Sequence, residues 1–220
     1  QMFVDANNFN QALNNWDVSN VTNMRAMFNN AKSFNQALND WDVSNVTTMS
    51  KMFANMKEFN QALNNWDVSN VIDMDGMFYG ASNFNQPLDK WNVSQVKTMA
   101  EMFGNAKAFN EALNDWSVSN VTSMGGMFYG AEVFNQPIND WDVSKVIKMN
   151  GMFKSATNFD QPLDKWDVSS VTNMVGMFDN AIAFNQALSK WCVFEIKTKP
   201  NNFDYVANSW TEPNKPIWGT

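Results

Sequence analysis

The residues best suited to chemistry are carboxylates that recur at one position of the chain. Five aspartates share this position at multiples of 25 residues: Asp17, Asp42, Asp67, Asp142 and Asp167. A stack of carboxylates predicts either a calcium stripe, because hard cations prefer several oxygen ligands, or an acidic docking surface. The simpler alternative, which we favour, is that each aspartate accepts a hydrogen bond from a nearby backbone N–H group. Asn92 and Ser117, which interrupt the series, can accept the same bond.

This composition offers few side chains suited to catalysis. Histidine is absent, so a nucleophilic triad would lack its usual base. Cys192 is the only cysteine, and no zinc-binding spacing exists. A glycosidase needs two carboxylates in different environments, which equivalent repeat positions do not provide. The sequence therefore predicts a protein that is not an enzyme and has no cofactor or resident metal, with the calcium stripe as an open alternative.

Charge and composition narrow the class of partner. The net charge of −7 disfavours nucleic acid, which requires a Lys/Arg surface, and disfavours adsorption to anionic lipid. No apolar run approaches the roughly 18 residues that span a bilayer. The 220 residues include 18 Phe, 16 Met and 10 Trp, so aromatic and flexible side chains replace the usual Leu and Ile.

The elements that position these residues are set by an internal repeat. Tryptophan recurs every 25 residues without an insertion, at Trp16, Trp41, Trp66, Trp91, Trp116, Trp141, Trp166 and Trp191. A unit of this length cannot bury its own apolar face, so the units must stack and bring equivalent side chains together. We therefore predict one domain, with eight solenoid repeats over residues 1–199 and a C-terminal cap or tail over residues 200–220.

Each unit contains hydrophobic residues in two different periodic patterns. Trp16 and Val18 alternate with Asp17, which predicts a short parallel strand. Apolar residues at steps of three and four then run from Val21 to Ala31, which predicts a short helix or 3-10 turn. The fold class expected is a leucine-rich-repeat-like (α+β) solenoid, with strands on the concave face and helices or 3-10 turns on the convex face. Asn or Gly, for example Asn30 and Gly80, predicts a left-handed residue where that helix ends.

Polar residues repeat as regularly as apolar ones. Asn10 and its equivalents recur down the chain, with Asp160 as the exception, and each is followed by Gln or Glu. We expect these side chains to bond backbone groups or the next Asn in the stack, as structural ladders.

Differences between repeats indicate where a partner binds. One outward position changes from neutral and acidic to lysine along the chain: Asn15, Asp40, Asn65, Lys90, Asp115, Asp140, Lys165 and Lys190. Variation on a fixed scaffold is how solenoids encode a partner, although drift on a solvated surface explains it equally well. Asp40, Lys90, Asp115, Asp140 and Lys165, with the five repeated aspartates, are the predicted binding residues.

The repeated motif M-F-x-x-A-x-x-F-N-Q-x-L-x-x-W-D-V-S-N-V-T-x-M covers residues 2 to about 193. It resembles the tandem repeat of BspA-like bacterial surface proteins, including the mycoplasma-type lipoprotein repeat. The resemblance implies an extracellular, cell-surface role in adhesion or host binding, and it brings no catalytic residues. The chain begins inside a repeat, so we expect any signal or anchor to lie outside it.

The function predicted from these observations is a non-enzymatic surface domain that binds a host or matrix protein, with no nucleic acid and no membrane insertion of this segment. A structural spacer that displays another domain is the main alternative. Glycan binding and ice binding rank lower. Uniform Thr ranks would favour ice, yet that position includes Ile72 and Lys97.

Overall fold

The computed structural model describes residues 1–219. Seven successive chain segments lie side by side and are joined by isolated parallel β-bridges between residues 25 apart. The bridged residues, which we use to number rungs 1 to 7, are Asn23, Thr48, Asp73, Thr98, Ser123, Lys148 and Asn173. The chain is therefore a repeat solenoid, as its spacing predicts.

Backbone hydrogen bonds join each rung to the next along the segment after the bridge. In rung 1 the N–H groups of Met24, Ala26, Phe28 and Asn30 donate to carbonyls of rung 2, over distances of 2.8 to 3.0 Å. The same alternation recurs in later rungs, where Met74, Gly76, Phe78 and Gly80 donate to rung 4. Alternate amides therefore hold the stack together, while the amides between them are used locally.

The local bonds close two tight turns in every rung. Met27 N–H donates to the Met24 carbonyl over 3.1 Å, and Ala31 N–H donates to the Phe28 carbonyl over 2.9 Å. The third residue of each turn has a positive φ, +52° at Ala26 and +61° at Asn30, as type II turns require.

The predicted helix on the convex face is wrong. The steps of three and four between Met24, Met27, Phe28 and Ala31 arise from two consecutive four-residue turns, each of which returns an apolar side chain to the core. A helix is about 10 Å wide and uses its own amides, whereas bridged rungs lie about 4.8 Å apart and use alternate amides between rungs. The left-handed backbone predicted at Asn30, Asn55, Gly80, Asn105, Gly130, Ser155 and Asn180 is confirmed, but it closes a turn instead of ending a helix.

The strand predicted at Trp16 and Val18 is also wrong. Turns occupy residues 14–15 and 19–20, and the bridge forms later, at Asn23. Trp16 N–H donates to the Leu13 carbonyl over 3.0 Å, so this amide is used within its own rung. Regular secondary structure within residues 1–219 consists of the bridges and one 3-10 helix, Glu212–Asn214.

Identical side chains form continuous columns inside the stack. Phe28 and Phe53 stack with ring centroids 5.9 Å apart, and Trp66 and Trp91 with centroids 6.5 Å apart. Burial of such a side chain contributes about 1.5–3 kcal/mol. Trp41 and the tryptophans after it in the column are 3–4% exposed, whereas Trp16 in the first unit is 41% exposed.

Polar side chains also link the units outside the bridged segments. Asn10 Oδ1 accepts from the Asn35 backbone N–H and from Gln36 Nε2, each over 3.0 Å. The structural role predicted for these residues is confirmed. Asn10 bonds the backbone N–H and the Gln side chain of the next unit, and not the next Asn side chain, which was the other contact expected. Indole groups add a second link, since Trp91 Nε1 donates to the Leu63 carbonyl over 3.0 Å.

The C-terminal segment packs on the last rung. The N–H groups of Gly176, Phe178 and Asn180 donate to carbonyls of residues 201–205, so the hydrogen-bonded ladder continues into this segment. Trp210 meets Phe184 edge-on with centroids 4.8 Å apart. The domain boundary predicted at residue 200 stays a prediction, and Thr220 lies outside the described residues.

Candidate binding groove

The surface formed by the bridge residues and the turns after them is here called the ladder face. It consists of the residues equivalent to Asn23, Arg25, Ala26 and Asn29 in each rung. Inward positions repeat nearly unchanged, whereas these four positions carry acidic, basic, aromatic or small residues in different rungs. The ladder face therefore distinguishes one rung from another.

A groove of about 390 Å³ crosses the ladder face over rungs 4 to 6. Its floor and walls include Glu101, Gly125, Gly126, Tyr129, Asn150, Gly151 and Lys154. Three of these residues are glycines, so much of the floor is bare backbone.

The turn geometry explains why glycine is suited to this floor. Gly126 and Gly151 are third residues of the first turn and have φ of +64° and +61°. Side chains are strained at such values, although Lys51 and Glu101 occupy the equivalent positions of rungs 2 and 4. The Glu101 side chain runs beside the floor, since its Cγ lies 3.1 Å from the place that a Cβ on Gly126 would take.

One wall of the groove is formed by Tyr129 and Lys154, which are equivalent residues of rungs 5 and 6. Lys154 Nζ lies 2.8 Å from Asp179 Oδ2 in rung 7. The hydrogen bond from this ammonium to Asp179 raises the pKa of Lys154, so the wall carries a cation at neutral pH.

Backbone amides two residues after the bridge are capped by side-chain oxygens in several rungs. The capped pairs are Arg25 N–H with Asn23 Oδ1 (2.9 Å), Asp75 N–H with Asp73 Oδ1 (3.0 Å) and Val175 N–H with Asn173 Oδ1 (3.1 Å). In the groove the bridge residues are Ser123 and Lys148. Within residues 1–219, no hydrogen-bond acceptor meets the N–H of Gly125 or the N–H of Asn150. The groove therefore presents two backbone donors without protein partners.

Rung 3 contains a carboxylate that caps the next rung. Asp75 Oδ1 accepts from the Thr98 hydroxyl and, over 2.8 Å, from the Ala100 backbone N–H. The residues equivalent to Asp75 in rungs 4 and 5 are Ala100 and Gly125, which have no carboxylate. This difference explains why the amides of rungs 5 and 6 are left uncapped.

The five repeated aspartates lie elsewhere, on exposed turns. Together with Asp40, Lys90, Asp115, Asp140 and Lys165 they define what we call the turn face. The Asp142 carboxylate accepts from the Ser144 hydroxyl over 2.6 Å and from the Ser144 N–H over 3.1 Å. The Ser144 hydroxyl lowers the pKa of Asp142, and serine hydroxyls have the same effect on Asp17 and Asp42.

The other members of this series make the same local contact. Ser69 N–H donates to Asp67 and Ser169 N–H donates to Asp167, each over 3.0 Å. Asn92 replaces the carboxylate in its rung and accepts from Ser94 N–H over 3.2 Å. Local capping, the alternative favoured from sequence, is therefore what these aspartates do in the structure. A binding role for them stays a prediction.

The variable charged residues of the turn face are exposed. Lys165 Nζ lies 2.7 Å from Asp140 Oδ1, and this bond raises the pKa of Lys165. An exposed pair of this kind contributes little to stability. Lys90 and Asp67 border another cavity of about 390 Å³, whose lining also includes the edge of Trp66.

No group of three or more His, Cys, Asp or Glu side chains in residues 1–219 is arranged to hold a metal ion. Cys192 is exposed and forms no disulfide.

Within residues 1–219, no helix has the length and apolar character needed to cross a bilayer.

None of the groove residues is among the binding residues predicted from sequence. Those predicted residues lie beside the predicted strand, whereas the rungs pair through residues further along each unit. A usable signal was present, because Gly125-Gly126 is a glycine pair at positions that carry Asp75-Gly76 and Ala100-Glu101 in the preceding rungs.

Comparison with known proteins identifies a family for this chain. None of the curated proteins is similar enough in sequence to count as a relative. Among solved structures, an internalin (inlF) from Listeria monocytogenes matches with a TM-score of 0.25 and 6% identity, over 72% of this chain and 61% of the internalin chain. The aligned part therefore spans less than two thirds of that chain, and agreement this weak carries no structural or functional argument.

A family model matches nearly the whole sequence in two overlapping stretches. It covers residues 1–116 and 106–215, as expected for a model that fits several repeats at a time. The mycoplasma-type resemblance of the repeat is thereby confirmed. The chain belongs to the family described as "Mycoplasma protein of unknown function, DUF285".

Proposed function

We propose that this chain is a non-catalytic scaffold that binds a partner protein, and that an extended segment of the partner lies in the groove of rungs 4 to 6. The observation that carries the proposal is the pair of unbonded amides, Gly125 N–H and Asn150 N–H, in a groove lined by an aromatic side chain and a cation. Main-chain donors, an aromatic surface and a flanking charge are the usual elements of peptide recognition.

The dimensions of the groove suit a short extended segment. Three rungs span two inter-rung steps, about 10 Å at strand spacing. An extended peptide advances about 3.3 Å per residue, so about three or four residues lie across the rungs. We place this interaction at the cell surface, because the repeat motif resembles that of bacterial surface proteins.

The turn face is the second candidate surface, because its charges vary between rungs and a cavity lies beside Lys90. Adhesion to a host or matrix protein, and glycan binding, are the activities it would serve. A spacer role, in which neither face binds, is the remaining alternative.

Displayed random peptides provide the test. Peptides selected on the wild-type chain are measured against Gly125→Val and against the joint alanine variant of Lys90, Asp115, Asp140 and Lys165. The first substitution fills the groove with the residue that rung 7 holds at the same position, Val175. Its Cβ would lie 3.0 Å from Asn150 Oδ1, so the exposed Asn150 side chain must shift to admit it. We expect selected peptides to bind at least ten-fold more weakly to Gly125→Val and equally well to the joint variant.

The opposite pattern would move the site to the turn face. Failure to select any peptide over several rounds would favour the spacer. Circular dichroism and thermal unfolding of both variants show that lost binding is not lost folding.

A further inference from the structure

We infer that the groove recognises a carboxylate, and that an acidic side chain of the bound segment takes the place that Asp75 fills in rung 3. This inference rests on the proposed function and adds the chemical class of the ligand. Its basis is a contact that the chain makes with itself one rung earlier.

The rung 3 carboxylate defines the geometry to be reproduced. Asp75 Oδ1 receives the Thr98 hydroxyl and the Ala100 N–H, both from the next rung. A hydroxyl and a backbone amide that converge on one oxygen form a small anion site, and such charge-assisted bonds are stronger than neutral ones.

Rung 5 repeats the donors of this site without the acceptor. Ser123 is equivalent to Thr98 and carries a hydroxyl, and Gly125 is equivalent to Ala100 and presents its N–H. The residue one rung earlier that would supply the carboxylate is Ala100, whose methyl group leaves the place open. Both donors line the groove, so a carboxylate from outside can reach them.

Charge in and beside the groove is mixed, with cations at the rung 6 end and the Glu101 carboxylate at the rung 4 end, beside the proposed site. Lys154 lines the rung 6 end, and Lys148 is exposed at the bridge position beside Asn150. Asp179 neutralises part of the Lys154 charge through its ion pair. Glu101 also lines the groove, on the rung 4 side, and its negative charge opposes a bound carboxylate.

The test uses the full chain and two synthetic probes, acetyl-Gly-Asp-Gly-Asp-Gly-amide and its Asn analogue. Backbone amide chemical shifts are followed by NMR during titration with each peptide. We expect saturable shifts at Gly125 and Asn150 with the Asp peptide. The Asn peptide should bind at least ten-fold more weakly. The residue-specific readout separates groove binding from general electrostatic attraction.

Ala100→Asp is the decisive variant, because it installs the rung 3 carboxylate one rung later and should bond Ser123 and Gly125 internally. We expect it to weaken binding of the Asp peptide at least ten-fold. Val175→Asp is the matched control, since it adds the same charge at the equivalent position of rung 7, and it should leave binding within two-fold. Glu101→Gln should strengthen binding about two- to five-fold, as removal of a like charge at a rim does.

Equal shifts with both peptides, no saturable shift, or unchanged binding by Ala100→Asp would each overturn the inference. These results differ from failure of the proposed function. If selected peptides depend on the groove but carry no acidic residue, the groove binds peptides and the carboxylate assignment is wrong.

Discussion

Tryptophan shows how one residue type serves two purposes in this stack. From Trp41 to Trp191, each indole ring of the column packs on its neighbours, and its N–H donates to a carbonyl of the preceding unit, as Trp91 Nε1 does to Leu63 over 3.0 Å. The Leu63 carbonyl also accepts from the Trp66 N–H over 3.0 Å, so the indole is its second donor, and such a bond contributes about 0.5–1.5 kcal/mol. The spacing of the tryptophans predicts the column, but the indole bond depends on the offset between units, which spacing does not encode.

We expect Trp91→Phe to lower the free energy of unfolding by about 1–3 kcal/mol, because the Leu63 carbonyl loses one of its two donors and the smaller ring opens a small cavity. Trp16→Phe is the matched control, since Trp16 is 41% exposed and forms no indole hydrogen bond within residues 1–219. We expect a change below about 1 kcal/mol there. Urea denaturation of both variants provides the measurement, and equal losses would contradict the column.

Prediction from sequence was partly wrong for the turns and the bridges. The apolar steps from Met24 to Ala31 fit a helix and a pair of four-residue turns equally well, because both return a side chain to the same face every three or four residues. Glycine positions distinguish the two structures. Gly76, Gly126, Gly151 and Gly176 recur at the third position of the first turn, where a helix would place an ordinary residue.

The C-terminal segment is held by an ion cluster around Asp204. Its carboxylate lies 2.9 Å from Lys215 Nζ and also contacts Lys199. Burial alone would raise the pKa of Asp204, but the hydrogen bonds from Lys199 and Lys215 outweigh it, so the pKa is lowered overall. A carboxylate with a lowered folded-state pKa stabilises the fold above its unfolded pKa of about 3.9, and this stabilisation is lost as the pH falls below that value.

We expect Asp204→Asn to lower the free energy of unfolding by about 1–3 kcal/mol at pH 7, because two lysines lose their charged partner. At pH 3 the gap between wild type and variant should narrow, since the unfolded wild-type chain then binds a proton at this carboxyl more readily than the folded chain does. Glu212→Gln is the control, because Glu212 also contacts Lys215 but its side chain is 84% exposed. Urea unfolding at both pH values tests this, and a gap that stays constant with pH would contradict the role of the charge.

At the scale of the whole molecule, the repeat itself limits where function can reside. Inward columns are occupied by the same side chains in nearly every rung, so they stabilise the stack but do not distinguish a binding site. Specific recognition must come from positions where rungs differ, and the sequence shows two such sets. The sequence alone could not rank the two sets as binding surfaces. Their ability to bind a partner depends on which backbone amides remain unbonded, and those are visible only after the rungs are paired.

The most direct measurement is the amide hydrogen-exchange footprint of a selected peptide on the intact chain. We expect slowed exchange confined to residues 100–104, 123–129 and 150–154 on the ladder face. The turn-face segments, residues 89–92, 114–117, 139–142 and 164–167, should exchange at the same rate with and without peptide. Protection of the turn-face segments, with no change around Gly125 and Asn150, would contradict the proposed groove.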